Sequence, residues 1–337
     1  MMKIPRCLFA TQHAAWPFFR QTEDGHGHMS ACAFTLDPGE ETDWLAVFDE
    51  PPAGLLTRVP RDRRVVFITE PPEVKVYSPF YLRQFGTIIS PYPIRGGHAS
   101  RLLLENPCLN WHYGVDGSSA EKTSRIRTLQ DLREMPVPRK TKLLSVICST
   151  KTFTEAQRKR IAFVEKLKAR FGSQIDIFGR GRRPIADKAE AIDAYRYHLV
   201  LENNYMDNFW TEKLSDAWLG YAFPVYLGAP NAPRHFPQGG MLALRPDDDA
   251  GNLDVIERLI AEDPWESRLP VLRQCRDMVL SDNNLFVRLD KLMRCGSETV
   301  RHCPPLPKPQ KIHGTGRLCT ALLRRAVRYG LYTPFAS

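Results

Sequence analysis

The sequence predicts an α/β protein of two domains, the second built on a parallel sheet covered by helices, and three observations lead there. The chain has 337 residues, more than one core ordinarily organises and enough for two domains of about 150 residues each. Its first half holds short β-branched and aromatic runs that stop at proline pairs. Its second half alternates apolar strands with helices of 3.6-residue periodicity, as successive βαβ units do.

Residues 43–48 (DWLAVF) and 64–69 (RVVFIT) read as buried strands running into Pro51-Pro52 and Pro71-Pro72, with 86–90 (GTIIS) as a third. They place an N-terminal domain over 1–133. Segment 134–141, with Pro136 and Pro138 among charged residues, reads as a linker. The C-terminal domain, 142–300, opens with the strand KLLSVICS (142–149). In the helix beyond that strand, Ile161, Val164, Leu167 and Phe171 share one face. Thr154 and Gln157 have the capping-box spacing, and Gly172 ends the helix. Then come a strand at 174–179, a helix about 187–196 and a strand at 197–201. A helix capped by Thr211, with Leu214, Ala217, Trp218 and Tyr221 on one side, leads to strand 223–228.

Between strand 197–201 and that last helix stand Glu202, Asn203, Asn204, Asp207, Asn208, Thr211, Glu212 and Lys213. Ligands of parallel sheets bind beyond the carboxyl ends of the strands, and helix N-termini attract phosphate. Lys213 in a first turn opposes the helix dipole unless an anion stands before it. Glu212 can accept hydrogen bonds from paired sugar hydroxyls. After strand 142–149, Ser149, Thr150 and Lys151 precede Arg158, Lys159 and Arg160. Two strand ends therefore offer hydroxyls and cations, which a diphosphate leaving group requires; a solvated loop and an ordinary basic helix face is the plain alternative. His198, inside an apolar strand, reads as a core histidine.

Composition narrows the classes. Hydrophobic residues make up 43% and charged residues 25%, ordinary for a soluble protein. No apolar run spans a bilayer, and the N-terminus does not read as a secretory leader, so a cytoplasmic protein is expected. The eight cysteines form no Cys-x-x-Cys pair and read as reduced thiols. No metal site is expected, and EDGHGH (23–28) reads as a flexible loop. Much of the net charge of +9 lies after Glu298, where seven cations meet no acid. This 301–337 tail combines a Pro-rich stretch, 304–311, with an amphipathic basic segment, 317–332, suited to an anionic membrane surface; a basic helix packed on its own domain is the alternative. No interleaved basic and aromatic patch marks the body for nucleic acid. Walker and dinucleotide glycine fingerprints are absent.

The stretch LENNYMDNFWTEKLSDAWLGYAFPVYLGAP resembles the signature of the family 10 glycosyltransferases, the α-1,3/4-fucosyltransferases. The match runs through Glu202, Asn203, Thr211, Glu212, Lys213, Pro224, Val225 and Gly228. CSTK with QRKRIAFVEKL is similar to a family segment that puts Ser149 and Arg160 at donor-binding positions. RVVFITEPPEV resembles, more weakly, a strand that ends in the proposed catalytic base, here Glu70. YLRQFGTIISPYP and NWHYG are similar to the family's next stretches along the chain. The sequence departs from the family in three places. Phe209-Trp210 replaces a tyrosine near the donor, Thr150 replaces an asparagine, and Glu70 lacks a preceding glycine.

The resemblance implies a GT-B architecture, with two Rossmann-like domains facing a cleft. It implies inverting transfer of L-fucose from GDP-fucose to a glycan hydroxyl, with α-1,3-type linkage and no required cofactor. Glu70 would be the general base, and Arg160 and Lys213 would neutralise the diphosphate. Glu212 would bind ribose, and Ser149, Asn203, Phe209 and Thr211 would position the donor. Glu202 would either touch the donor or hold the backbone, and Glu70 has its own plainer reading as a solvated strand-end acid. The alternatives are a related transferase using another nucleotide sugar and a non-catalytic binding protein with a basic tail.

Overall fold

Strand-forming runs pair into a seven-stranded, a five-stranded and a two-stranded sheet in the computed structural model, which describes residues 4–94, 101–116, 126–151, 155–297 and 310–315. The chain divides into two units, one of residues up to Pro107 together with those from Leu285 onward, the other of Cys108–Asn284.

The first unit holds β1 (Arg6–Ala10), β2 (His28–Met29), β3 (Cys32–Thr35), β4 (Trp44–Phe48), β5 (Leu56–Thr57), β6 (Arg64–Phe67), the short helix α1 (Pro79–Leu82), β7 (Thr87–Ser90) and β8 (Arg101–Leu104). Seven strands form one sheet in the order β2-β3-β1-β4-β6-β7-β8. All of its neighbours run parallel except the β2–β3 pair. The expected strands at 43–48, 64–69 and 86–90 are β4, β6 and β7, and all their residues are buried. β1, between β3 and β4, has no counterpart in the sequence reading, because no proline pair closes its apolar run, Cys7–Ala10, as one does after β4 and β6. The EDGHGH segment bends around Asp24 into β2. Asp24 Oδ1 accepts from the backbone of His26 (2.8 Å) and His28 (2.9 Å), and its Oδ2 pairs with His28 Nδ1 at 2.6 Å.

The second unit holds α2 (Leu129–Glu134), β9 (Lys142–Ile147), α3 (Glu155–Phe171), β10 (Ile175–Phe178), β11 (Tyr195–Leu201), α4 (Glu212–Leu219), β12 (Phe223–Leu227), β13 (Leu242–Ala243), α5 (Asp249–Glu262) and α6 (Leu269–Leu280). Its five strands are ordered β10-β9-β11-β12-β13 and all run parallel. Val164, Leu167 and Phe171 of α3 enter the core as their spacing predicts, whereas Thr154, the proposed cap, lies outside the described residues. The helix expected at 187–196 is instead a four-residue 3-10 turn, Lys188–Ala191, capped by Asp187. β11 then begins early, at Tyr195, because its aromatic side chains fit the sheet. His198 is buried, with Nδ1 2.8 Å from Ser145 Oγ. Burial, and then the charges of Lys188 and Lys140, push its pKa down to about 3, so it stays neutral as a core residue.

The chain then returns to the first unit through α7 (Leu285–Ser297) and β14 (Gln310–Lys311). Phe286 of α7 packs against Phe9 and Phe34. The division thus falls at 107/108 and 284/285, not at the proline-containing 134–141. The reason is burial: Trp111, Tyr113, Leu129 and Leu132 all belong to the second unit's core. Two units, each with a mainly parallel sheet, are the composition that the GT-B expectation demands. Among the described residues no helix is long and apolar enough to cross a membrane.

Gly228, just past β12, shows how tightly the strand ends are packed: a Cβ there would lie 2.3 Å from Tyr226 Oη and 2.6 Å from Glu202 Cγ. Gly228→Ala should cost about 1–3 kcal/mol by overpacking and lower the melting temperature by roughly 5 °C, read by thermal denaturation.

Candidate functional site

The site of the second unit begins with a buried acid. β11 ends at Leu201, and Glu202, next in the chain, is 1% exposed. A buried carboxylate must find donors. Thr211 supplies two, its backbone N–H to Oε1 (2.7 Å) and its hydroxyl to Oε2 (2.8 Å). Thr211 is also the N-cap of α4, accepting from the Lys213 backbone N–H at 3.3 Å. Of the two readings of Glu202, the backbone-holding one matches this geometry: its carboxylate fastens α4 to the end of β11.

Lys213 Nζ lies 2.9 Å from Thr211 Oγ1 and 3.4 Å from each of Glu202 Oε2 and Glu212 Oε1. Burial pulls its ammonium down, but Glu212 and Glu202 outweigh this and hold its pKa above the usual value. Lys188 and Arg160 oppose them more weakly. Arg160 is therefore near enough to Lys213 for their charges to interact. The Arg160 guanidinium is buried. Its Nη1 donates to Asn203 Oδ1 and to the Leu201 carbonyl, whereas Nε finds no hydrogen-bond partner among the described residues. Sequence-distant cations are thus each held at the carboxyl end of β11. The other basic residues of α3 behave differently, since Lys159 and Lys166 pair at the surface with Asp247 and Asp249. A cavity of about 330 Å³ adjoins Arg160, bounded also by Lys166, Tyr205, Leu227, Asp247 and Asp249.

Glu212 sits between two lysines, 3.3 Å from Lys188 Nζ and 3.4 Å from Lys213 Nζ. Burial alone would raise its carboxyl; Lys213 and Lys188 instead hold it well below the ordinary range. Lys188 also pairs with the buried Asp216 at 2.7 Å, and Asp216 Oδ1 accepts the backbone N–H groups of His112 and Tyr113, each at 3.0 Å. Burial, reinforced by Lys188, lowers the His112 pKa to about 4, keeping the ring neutral. Lys188, Asp216 and His112 escaped the sequence reading. One signal was available: Asp216 lies among Leu214, Ala217 and Trp218 on a helix whose residues 214–219 are all buried. An acid there needs a cation.

Of the remaining expected residues, Ser149 lies just past β9 and is half-buried beside Gly179. That glycine has φ +124°, and a Cβ on it would lie 3.1 Å from the Ser149 nitrogen. Phe209 and Trp210 are 2% and 4% exposed, with Trp210 packed on Phe236. Phe209 therefore has little surface to offer a donor. Glu70 belongs to the first unit, three residues past β6 and half-buried. Tyr77 Oη accepts its backbone N–H (3.3 Å), and Tyr92 Oη donates to its carbonyl (3.1 Å). Among the described residues no group of three His, Cys, Asp or Glu is placed to hold a metal ion.

Residues 137–245 match the profile described as Glycosyltransferase family 10 (fucosyltransferase) C-term. This part of the second unit is thus similar to the C-terminal domain of the family 10 glycosyltransferases. The family 10 match spans β9 to the segment after β13, and so includes Ser149, Arg160, Glu202 and the α4 N-terminus. Among solved structures, an α1,3-fucosyltransferase aligns at 17% identity over 79% of this chain and 81% of its own, with a TM-score of 0.47. The structure described as that enzyme with GDP-fucose aligns at 17% over 80% and 83%, with a TM-score of 0.48. A UDP-forming trehalose-phosphate synthase from Burkholderia xenovorans aligns at 12% over 80% and 75%, with a TM-score of 0.44. Comparison with curated protein sequences found no match.

The depressed Glu212 carboxyl sets a pH dependence. Its stabilising contribution is complete above its unfolded-state value near 4.5 and drains away as pH falls through the lower folded value. Glu212→Gln should therefore melt below wild type by a constant margin between pH 7 and pH 5 (roughly the range above carboxylate titration). That margin should narrow only in more acid solution, measured by differential scanning fluorimetry. A margin already closing at pH 6 would contradict the assigned ion pairs.

Proposed function

We propose that this glycosyltransferase moves L-fucose from GDP-fucose to a hydroxyl of a glycan acceptor, with inversion and an α-1,3-type linkage. The observation that carries the reading is that Arg160 and Lys213, from two strand–helix junctions, are held by adjacent residues past β11, Arg160 by Asn203 and Lys213 by Glu202. Buried Arg160 keeps an Nε–H without a partner among the described residues, and a buried donor without an acceptor is costly until a ligand supplies one. A diphosphate does so and brings charge that both cations neutralise.

In the reaction Glu70 takes the proton of the acceptor hydroxyl, and the resulting oxygen attacks the anomeric carbon of the donor. The bond from that carbon to the phosphate oxygen breaks, and GDP leaves with the electron pair. Its charge is met by Arg160 and Lys213, the latter fixed between Glu202 and Glu212 before substrate arrives. Glu212, held ionised, accepts from the ribose hydroxyls, while Ser149 and Asn203 orient the donor. No cofactor enters this scheme. The tail segment 317–332, outside the described residues, would bring a cytoplasmic enzyme to an anionic membrane face.

Arg160→Ala and Lys213→Ala should each weaken GDP binding by at least about tenfold, as loss of a charge-assisted contact requires, measured by isothermal titration calorimetry. GDP should raise the melting temperature where UDP and CMP do not. Unchanged GDP titrations in both variants would remove the diphosphate from this site, and stabilisation by UDP alone would replace the donor. Glu70→Gln should abolish transfer from GDP-fucose with GDP affinity retained.

A further inference from the structure

The first unit carries its own buried network, at the carboxyl ends of β4 and β6. Past β4 the backbone turns through Asp49 in a left-handed conformation, φ 66°. Lys75 Nζ bridges Asp49 Oδ1 (2.7 Å) and Glu50 Oε1 (3.0 Å). Tyr77 Oη donates to Asp49 Oδ1 at 2.6 Å and accepts the backbone N–H groups of Thr69 and Glu70, each at 3.3 Å. Tyr92 Oη donates to the Glu70 carbonyl. Both phenols are buried, so the Glu70 peptide is gripped from its two polar sides by groups that cannot easily move. Burial, and then the charges of Glu73, Glu70 and Asp49, push the Tyr92 phenol up.

The far end of this network is not local in sequence. Residues 310–315 return to the first unit and lie along it as a strap. β14 pairs antiparallel with β5, Ile312 is 2% exposed and donates its N–H to the Leu55 carbonyl at 2.9 Å, and Gln84 bonds both polar groups of the His313 backbone. The strap finishes on Glu50. The Thr315 backbone N–H lies 3.1 Å from each oxygen of that carboxylate, which is 6% exposed. A Cβ on Gly314 would stand 2.1 Å from Glu50 Oε2, so the approach needs glycine. Pairing with β5 and burial of Ile312 would suffice to attach a segment. The N–H aimed at a buried acid does more, because that acid shares Lys75 with Asp49.

We infer that the 310–315 strap positions Glu70. The Thr315 amide fixes Glu50, Glu50 and Asp49 divide Lys75 between them, and Asp49 fixes the Tyr77 hydroxyl that holds the Glu70 peptide. This inference rests on the reading of Glu70 as the base. Without the Thr315 N–H, Glu50 draws Lys75 toward itself. Asp49 then keeps less of the cation, Tyr77 loosens, and more negative charge from Asp49 and Glu73 stands uncompensated near Glu70.

The test uses the full chain. Thr315→Pro deletes the N–H, and Thr315→Ala keeps it. Turnover, donor KM and the pH profile of kcat are measured with GDP-fucose, alongside Glu70→Gln. Thr315→Ala should track wild type. Thr315→Pro should lower kcat by roughly tenfold, the scale of a slightly misplaced catalytic group. Its donor KM should stay unchanged, and the acid limb of its kcat profile should move to higher pH. If Thr315→Pro fails to fold, Gly314→Ala, whose Cβ would stand 2.1 Å from Glu50 Oε2 and push that carboxylate off the Thr315 N–H, is held to the same loss of kcat at constant donor KM. An inactive Glu70→Gln beside a Thr315→Pro enzyme with wild-type kcat and pH profile overturns the strap's role alone. A Glu70→Gln enzyme with near-normal turnover overturns the base assignment and this inference together.

Discussion

A carboxylate that cannot reach water governs the second unit. Glu202 emerges from β11 into a position where only 1% of it is accessible, and leaving it without donors would cost more than most single contacts contribute. The chain resolves this by bringing Thr211 back nine residues later to donate twice. That return sets where α4 starts, how the 203–210 loop closes and where Lys213 stands. Gly228 belongs to the same constraint, since any side chain there would collide with Glu202.

Once α4 is fastened, its first turn becomes a lattice of alternating charge. Lys188, Glu212, Lys213 and Glu202 succeed one another at 3.3–3.4 Å, with Glu212 between two lysines and Lys213 between two acids. Burial opposes charge here, but the pairing keeps Lys188, Glu212 and Lys213 ionised across the physiological range. They therefore present fixed charge to a ligand with little reorganisation, which is the condition for electrostatic stabilisation of a leaving group. Arg160 arrives by another route, from α3, and is held by the β11 end through Leu201 and Asn203.

The first unit solves a related problem with different chemistry. Its acids Asp49 and Glu50 are satisfied by one lysine, one phenol and one backbone amide from the C-terminal strap. In the second unit an acid fastens a helix; here acids fasten a strand end and the phenols around it. In both units the polar groups beyond the sheet are held by neighbours on other elements, so their positions belong to the fold and not to loose loops.

The sequence by itself determined the elements whose signal is local. β4, β6, β7, β9, β11 and β12 are apolar runs bounded by turn residues, α3 has a single apolar face, and Thr211 is a cap that its own side chain specifies. The motif around α4 was likewise legible, because cap, acid and lysine are contiguous. Only the tertiary structure decided the rest. β1 is closed by no proline pair and so left no local mark. The boundary at 107/108 comes from where Trp111 and Tyr113 bury, not from the prolines at 136 and 138. Glu202's work as a clamp, the pairing of Lys188 with Asp216 and the docking of Thr315 on Glu50 join residues 9, 28 and 265 positions apart. Partners at such separations leave no periodicity to detect, since desolvation selects them only after the sheets have brought them together.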